Sequence, residues 1–392
     1  MTPEEIAAGM TGRLAPEGAG IEAALLPSPA VQNHAGFLAE LPGGAVICAW
    51  FGGSLEGKSD ICIRASLLLP GAAQWGPVAT LSHDPGRSEQ NPVIFAAPDG
   101  RVWLFHTAQE AGDQDGCRIR MAQLSIEGTD IRAAPGRFLD LPRGAFTRAP
   151  LRVLPDGGWL LPLFLCVPQQ GHRWTGSHDI SAMAISRDEG QSWELRPMEG
   201  STGCVHPCPL PGAAGLVAFF RRRQADHVFR AEGTADGRGW SAPHPTDLLN
   251  NNSSLAAIRL AEGEVAVLCN PVNAAMSQSR RASLYDELGG TDARPDADTA
   301  GGCVPVWGVE RAPLVLALSR DEGASFPERF LVADGPGTCL SNNSLDGRNR
   351  ELSYPWLLET GDGALHLCYT LHRRAIRHLR LAPGWRAQLP RA

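Results

Sequence analysis

The chain has 392 residues, 43% of them hydrophobic and 20% charged, which excludes a disordered composition and allows a large buried core. Its formal net charge of −7 gives no support for nucleic acid or an anionic membrane as a partner, and no apolar stretch approaches the roughly 18 residues needed to span a bilayer. The first 20 residues lack the basic and apolar regions of a secretory signal, and the ten cysteines lack the dense spacing of a disulfide framework. We therefore expect a cytoplasmic protein with reduced thiols.

The N-terminal residues 1–20 are predicted to be an extension, and residues 21–385 a single domain. The 44 glycines and 31 prolines are spread along the whole length, which indicates many turns between short apolar runs and therefore an all-β protein. Similar segments recur about every 50 residues, the period of propeller blades.

Two copies of one motif mark this repeat most clearly. Ser186–Trp193 reads SRDEGQSW and Ser319–Phe326 reads SRDEGASF, and Thr234–Trp240 is a degenerate copy. Both full copies are Asp boxes, in which an aspartate bonds the amides of its own turn, a glycine takes a backbone conformation that other residues avoid, and an aromatic residue packs back between strands. We assign them a structural role at the outer rim.

The strand-like segments between turns group into six blades, so the predicted fold is a six-bladed β-propeller. The predicted blade segments are 34–41, 45–51 and 60–69; 91–97, 101–107 and 117–125; 147–154, 159–166 and 180–186; 205–210, 215–221 and 227–230; 252–260, 264–270 and 313–319; and 352–358, 364–371 and 375–381. Residues 21–26 are predicted as an outer strand borrowed by blade six. Residues 273–302 interrupt blade five as a long loop, which predicts either a lid over the site or a mobile insertion.

Inner strands of a propeller begin around one end of the central tunnel, so the residues at their beginnings converge there. Polar residues occupy these positions where a buried strand would normally carry Val or Ile. The candidates at strand beginnings or adjoining strand ends are His34, Gln90, Arg148, His206, Arg221, Asn252, Glu351 and Tyr354. Arg222 and Arg223 are interpreted as a surface pair.

These residues, together with the Asp boxes, resemble the sialidase superfamily, and more closely its bacterial neuraminidase-like proteins with BNR repeats. The resemblance rests also on Trp50-Phe51-Gly52-Gly53 with Ser59-Asp60, and on Leu352-Ser353-Tyr354-Pro355 ahead of Asp362-Gly363 and Tyr369. It spans residues 30 to 381 and implies the sialidase-like propeller fold.

The resemblance also implies roles for particular residues. Asp60 matches the acid/base aspartate and Tyr354 the tyrosine nucleophile, an exception to the two-carboxylate rule of glycosidases. Arg221 and Arg311 match the second and third arginines that bind the sugar carboxylate. His34 stands where the first arginine belongs and His206 where the activating glutamate belongs. A neutral imidazole can accept the tyrosine proton, whereas the lost arginine weakens recognition of sialic acid and favours a different acidic sugar.

Three functions stay open from the sequence. The leading one is an exo-acting hydrolase of a terminal acidic sugar or oligosaccharide, which needs no cofactor. The second is a lyase of the rhamnose-glucuronate type, in which an arginine stabilises the enolate of a uronate and a histidine or tyrosine moves the proton. The third is a glycan-binding propeller without catalysis. Cys204 and Cys208 flank His206, but no second pair completes zinc spacing, so no metal site is predicted.

Overall fold

A computed structural model describes residues 1–110, 112–284, 286–289 and 294–392. Its strands form six antiparallel sheets of four or five strands, which confirms the six-bladed β-propeller. Within most blades, consecutive strands pair with their neighbours along the chain, as expected for hairpins closed by Asp-Gly and Gly-Gly turns.

The strand bounds follow blade by blade. Blade one has β3 (Gln32–Glu40), β4 (Val46–Gly53), β5 (Cys62–Leu68) and β6 (Ala79–Thr80); blade two has β7 (Arg87–Ala96), β8 (Val102–Glu110), β9 (Arg118–Glu127), β10 (Asp130–Ala133) and β11 (Arg137–Phe138). Blade three has β12 (Ala145–Phe146), β13 (Arg152–Val153), β14 (Trp159–Leu165), β15 (Ile180–Ser186) and β16 (Glu194–Pro197); blade four has β17 (Cys204–Gly212), β18 (Gly215–Arg222), β19 (His227–Gly233) and β20 (His244–Leu249). Blade five has β21 (Ala256–Arg259), β22 (Val265–Cys269), β23 (Leu314–Ser319) and β24 (Glu328–Ala333); blade six has β25 (Leu352–Glu359), β26 (Leu365–Leu371) and β27 (Ala375–Leu381), joined by β1 (Ala15–Gly18) and β2 (Ile21–Leu25). One α-helix, α1 (Pro3–Gly9), and two short 3₁₀ segments (Asp286–Leu288 and Trp385–Ala387) complete the described elements.

The ring closes where strands from the two ends of the chain meet in blade six. Strand β2 pairs antiparallel with β27, with Ile21 opposite Leu381 and Leu25 opposite Arg377, so the predicted borrowed strand is confirmed. The predicted extension does more than precede the domain, because Ala15–Gly18 adds a fifth strand to the same sheet. This strand covers the outer side of β2, which would otherwise be an open sheet edge.

The Asp boxes form the predicted hairpins between the third and fourth strands of their blades. In the blade-three copy the Asp188 carboxylate accepts a hydrogen bond from the Ser192 amide at 2.8 Å, and Gly190 has a φ of 83°. The indole of Trp193 donates to the Gly190 carbonyl at 3.0 Å. The pKa of the half-buried Asp188 carboxyl is lowered to about 2, because Ser192 and Ser186 donate hydrogen bonds to its charged form.

Two blades differ from the prediction. The inner strand expected over residues 147–154 is broken into β12 and β13, and the break contains Arg148. The inner strand of blade five begins at Ala256 rather than at residue 252, since Asn250–Ser253 form side-chain turns instead of a ladder. Blade five is interrupted as predicted, and in the described part of residues 270–313 there is one 3₁₀ segment and no strand.

Candidate functional site

The inner strands share a local distortion that brings their side chains to the axis. Ala35, Asn91, His206, Asn252 and Tyr354 have left-handed backbones, with φ between 48° and 58°. In β3, β7, β17 and β25 this residue lies within a register shift of the inner pair. A bulge of this kind redirects a side chain away from the sheet surface. Repetition of this bulge in four blades therefore places Ala35, Asn91, His206 and Tyr354 around the tunnel entrance, and Asn252 has the same left-handed backbone in the turns that precede β21.

Four of the predicted residues, His34, Arg148, His206 and Arg221, lie around Tyr354, and we call these five residues the cluster. Its phenol oxygen accepts a hydrogen bond from Arg221 Nη1 at 2.7 Å. Its ring centroid is 4.3 Å from that of His34 and 5.9 Å from that of His206. A guanidinium donor to the phenol oxygen stabilises the phenolate, which is the nucleophilic and proton-accepting form of tyrosine.

Two arginines of the cluster are buried without a carboxylate partner among the described residues. Arg221 donates through Nε to Asn252 at 2.8 Å, and Arg148 donates to the carbonyls of Gly36 at 2.8 Å and Tyr354 at 3.2 Å. Burial lowers the pKa of each guanidinium to about 10, so both remain charged at neutral pH. A pair of buried positive charges next to a phenol is a strong attractor for an anion.

Both predicted histidines are buried in the cluster and neutral. Burial, followed by neighbouring arginines, lowers the pKa of His34 and His206 well below the ordinary value of 6.5. His34 Nδ1 lies 2.8 Å from Thr370 Oγ1, and His206 Nδ1 lies 3.0 Å from Ser254 Oγ. His34 Nε2 is buried and has no hydrogen-bond partner in the described structure. Each neutral ring therefore keeps one nitrogen with a lone pair, whereas burial and the neighbouring arginines disfavour its protonated form.

Glu351 binds Arg311, the third predicted arginine, and also Arg373, which the sequence analysis did not predict. Its carboxylate accepts bonds from Arg311 at 2.8 Å, Arg373 at 2.9 Å and Ser353 at 2.6 Å. Although burial opposes the charge, these partners lower the pKa of Glu351 to about 2. Arg373 was missed because it lies in the hairpin between β26 and β27, where a left-handed backbone (φ 61°) directs its side chain and no strand period applies.

The structure does not bring Asp60 into the cluster. Asp60 is exposed on the loop between β4 and β5, and its carboxylate accepts a bond from the Ser54 amide at 2.8 Å. The acidic residue of that loop which lines the central cavity is Glu56, which forms an ion pair with Arg373 and accepts a bond from Asn342 at 2.8 Å. Carboxylates are common in exposed Gly-rich loops, so sequence alone could not choose between the two.

Gln90 and Asn252 lie at the site as predicted, but in different roles. Gln90 lines the central cavity and donates to Ser88 at 3.0 Å, whereas Asn252 supports Arg221. Arg223, interpreted from the sequence as a surface residue, is only 2% exposed and lines the cavity. It forms a two-bond ion pair with the buried Asp179, at 3.0 and 2.6 Å. Side chains two positions apart in a strand share a face, so the strand period that selected Arg221 could also have selected Arg223.

Two adjoining cavities lie beside the cluster. The central one, lined by Tyr354, His206 and Arg221, has a volume of about 20 Å³, enough for one water molecule. The outer one is a groove of about 480 Å³. Gln114 and Leu284 line both, so the groove and the central cavity adjoin at these two side chains. Leu284 belongs to the insertion, so the insertion contributes one side chain to the lining of both cavities.

The described residues contain no group of three or more His, Cys, Asp or Glu that could hold a metal ion. None of the described helices is long and apolar enough to cross a membrane.

The six-bladed propeller with Asp-box hairpins agrees with the fold that the resemblance to sialidases implies. The family of BNR repeat-like domains matches residues 44–367, and the chain belongs to this family. No curated protein sequence matches it significantly.

Solved structures share the fold at low sequence identity. The Hadza microbial sialidase Hz136 aligns with a TM-score of 0.66 and 11% identity over 90% of this chain and 66% of that one. A protein of unknown function from Dyadobacter fermentans aligns with a TM-score of 0.66 and 13% identity over 93% and 99%. The Trypanosoma rangeli sialidase in complex with 2,3-difluorosialic acid, a covalent intermediate, gives 0.63 and 12% over 97% and 57%. The chain thus spans two thirds or less of the length of these two sialidases.

Proposed function

We propose that the protein is an exo-acting, carbohydrate-active enzyme that cleaves a terminal acidic sugar from a glycan. The observation that carries this proposal is the contact between Arg221 and the Tyr354 phenol. The buried Arg148 lies beside it and has no carboxylate partner among the described residues. A sugar carboxylate would supply the missing negative charge, and its ring would lie against the reactive oxygen. Sialidase structures of the same fold support a sugar of this class.

In the hydrolytic form of this proposal, Tyr354 attacks the anomeric carbon as its bond to the leaving oxygen breaks, and the leaving oxygen takes a proton from water. A second water molecule then attacks the anomeric carbon, which releases the sugar and restores the phenol. Arg221 stabilises the phenolate, and the neutral His34 or His206 accepts the phenol proton. Arg311 helps to bind the carboxylate, while Glu351 positions Arg311 and Arg373 through its ion pairs. A sugar is much larger than the 20 Å³ central cavity, so Leu284 must move aside for the substrate to enter.

The first test is Tyr354→Phe, assayed with aryl glycosides of sialate, glucuronate and galacturonate. We expect kcat/KM to fall by at least about a thousandfold, because Phe keeps the ring but lacks the reactive oxygen. Tyr369→Phe is the matched control, since Tyr369 is buried in β26, outside the cluster, and should leave the rate unchanged. Binding of one of these sugars by the wild type without turnover would instead identify a glycan-binding propeller.

A lyase is the second candidate, and one observation favours it. Hydrolysis needs a protonated acid for the leaving oxygen, but arginine partners lower the pKa of Glu351 to about 2, and the Glu56 carboxylate is paired with Arg373. Elimination can use the residues present: an arginine for the uronate enolate, a neutral histidine as base and the Tyr354 phenol as acid. An unsaturated product that absorbs in the ultraviolet identifies elimination, and a saturated reducing sugar identifies hydrolysis.

A further inference from the structure

The Thr370 hydroxyl determines which nitrogen of His34 carries a hydrogen. Thr370 is fully buried in β26, where its Oγ1 accepts a hydrogen bond from the Ala35 amide at 3.1 Å and lies 2.8 Å from His34 Nδ1. Within the described part of the chain, the hydroxyl hydrogen has no other acceptor in reach. Glu351, at 3.9 Å, is too far away to accept a bond from Nδ1. Because a buried hydroxyl without an acceptor costs free energy, Nδ1 accepts the hydroxyl hydrogen and Nε2 carries the hydrogen of the ring.

The Nε2–H group of His34 is then a hydrogen-bond donor that needs an acceptor. Nε2 is buried and makes no hydrogen bond to the residues that the structure describes, and an unpaired buried donor is costly. Four guanidinium groups oppose a positive charge on this ring: those of Arg373, Arg311, Arg148 and Arg221. A carboxylate attracted to these arginines would supply the acceptor that Nε2–H lacks.

His206 has the opposite arrangement of hydrogen bonds. Its Nδ1 lies 3.0 Å from Ser254 Oγ, but this hydroxyl has an acceptor of its own, the Leu255 carbonyl at 3.5 Å. Both bonds form only when Nδ1–H donates to the serine oxygen and the serine hydrogen goes to the carbonyl. Nε2 of His206 then keeps its lone pair. His206 and Tyr354 both line the central cavity, which has room for one water molecule, so a proton can pass from the phenol to Nε2.

We propose that the two histidines are fixed as opposite tautomers, with His34 the hydrogen-bond donor to the substrate carboxylate and His206 the acceptor of the phenol proton. Thr370 and Ser254 are the positioning residues that set these roles. This inference rests on the proposed function, and it decides which of the two rings serves as the base. The phenol proton moves to His206 Nε2 as the phenol oxygen bonds to the anomeric carbon. It then passes to the hydroxide left by the water that protonates the leaving oxygen.

The two tautomers can be measured without a substrate. In protein that contains isotope-labelled histidine, protonated and unprotonated ring nitrogens have well-separated chemical shifts, and couplings within the ring distinguish Nδ1 from Nε2. The signals that disappear in His34→Gln and in His206→Gln assign the two rings. We expect Nε2–H for His34 and Nδ1–H for His206. The same tautomer in both rings would overturn the inference, whatever the activity of the protein.

Replacement by glutamine should have opposite effects at the two positions. The side-chain amide of glutamine can replace the Nε2–H donor of histidine, but it cannot accept a proton. Binding of sialate, glucuronate and galacturonate is measured by calorimetry, and kcat and KM are measured with the aryl glycosides. His34→Ala should weaken binding of the acidic sugar about tenfold to a hundredfold, and His34→Gln should recover most of this loss. His206→Gln should lower kcat at least about a hundredfold, with a much smaller change in KM.

The variant Thr370→Val tests the positioning role. It keeps the shape of the side chain but removes the hydroxyl, so we expect the His34 ring to shift towards Nδ1–H and binding of the acidic sugar to weaken about tenfold. Thr370→Ser returns a hydroxyl and should restore both. Thr246→Val is the matched control, because Thr246 is buried in the outer strand of blade four and its hydroxyl donates to the Val228 carbonyl at 2.9 Å. An unchanged His34 tautomer in Thr370→Val would contradict the role of Thr370.

The outcomes separate the two proposals. Opposite tautomers and weaker sugar binding by His34→Ala, without cleavage of any aryl glycoside, overturn the proposed function and support the donor role of His34. Turnover with equal losses in His34→Gln and His34→Ala, or with no loss in His206→Gln, overturns this inference and leaves the proposed function standing. Absence of both binding and turnover overturns both.

Discussion

The contact between Arg221 and Tyr354 depends on the shape of the guanidinium group. Arg221 uses Nε for Asn252 and Nη1 for the phenol, at 2.8 and 2.7 Å. These two bonds leave its side chain in one fixed position, with its charge directed at the tyrosine. A lysine ammonium is a single point on a flexible stem and cannot hold both partners in this geometry.

At this scale we predict the effect of Arg221→Lys. The variant keeps the positive charge and should fold normally, but it should lower kcat/KM about a hundredfold, the loss of one charge-assisted hydrogen bond of about 2 to 3 kcal/mol. Activity with the best acidic aryl glycoside and the melting temperature should be compared with those of Arg196→Lys, a surface control on β16. Equal activity of Arg221→Lys and the wild type would contradict a role for the simultaneous bonds of Arg221 to Asn252 and Tyr354.

Four of the inner strands share one feature, a residue whose backbone has a positive φ. Asn91, His206 and Tyr354 each precede a proline, and Ala35 precedes a glycine. Proline lacks an amide hydrogen, so it suits a position where the ladder is interrupted. The bulge therefore has a cause in the sequence, and it positions the side chain just before the proline towards the axis.

The stability of variants at Asn91 tests this conformation. In an ordinary strand Gly is less stable than Ala, but at a φ of 50° the order should invert, with Asn91→Gly more stable than Asn91→Ala by about 1 kcal/mol. Ser66 in β5 is a matched control, because it is buried in a regular strand, and there Ala should be more stable than Gly. Urea unfolding measures all four variants. The same order at both positions would contradict the structural reason given for the bulge.

These bulges also explain how far the sequence could predict the site. Turn residues and strand-like segments were sufficient to predict the six blades. A polar residue at the beginning of a predicted inner strand was sufficient to predict that His34, Arg148, His206 and Tyr354 lie at the site. Arg373 and Glu56 escaped because they lie in connections between strands, where side-chain direction depends on tertiary contacts. Asp60 was selected by its match to a motif, which fixes its loop but not the direction of its side chain.

For the whole molecule, the buried histidines couple folding to pH. Burial lowers the pKa of His106 and His366 to about 4, and that of His378 well below 6.5. His366 Nδ1 lies 3.0 Å from His378 Nε2, whose other nitrogen accepts a bond from the Trp75 indole at 3.2 Å. The chain of bonds requires neutral rings, so protonation would break it.

We predict that stability falls as the pH is lowered from 6.5 towards 4. In this range the unfolded histidines bind protons and the folded ones do not, so each contributes a loss of roughly 1.4 kcal/mol per pH unit. Urea unfolding between pH 7 and pH 5 should show a shallower slope for His366→Gln than for the wild type. His83→Gln, at an exposed position, should keep the wild-type slope. Identical slopes for all three proteins would contradict this origin of the pH dependence.

The pairing of β2 with β27 imposes an order on biosynthesis. Residues 21–25 leave the ribosome long before residues 375–381, so β2 can pair with β1 but must wait for β27 while the other five blades form. The circle is joined by noncovalent contacts, and its final step is a contact of very long sequence separation, which loop-closure entropy makes slow. A circularly permuted gene that makes these two strands consecutive should shorten that wait.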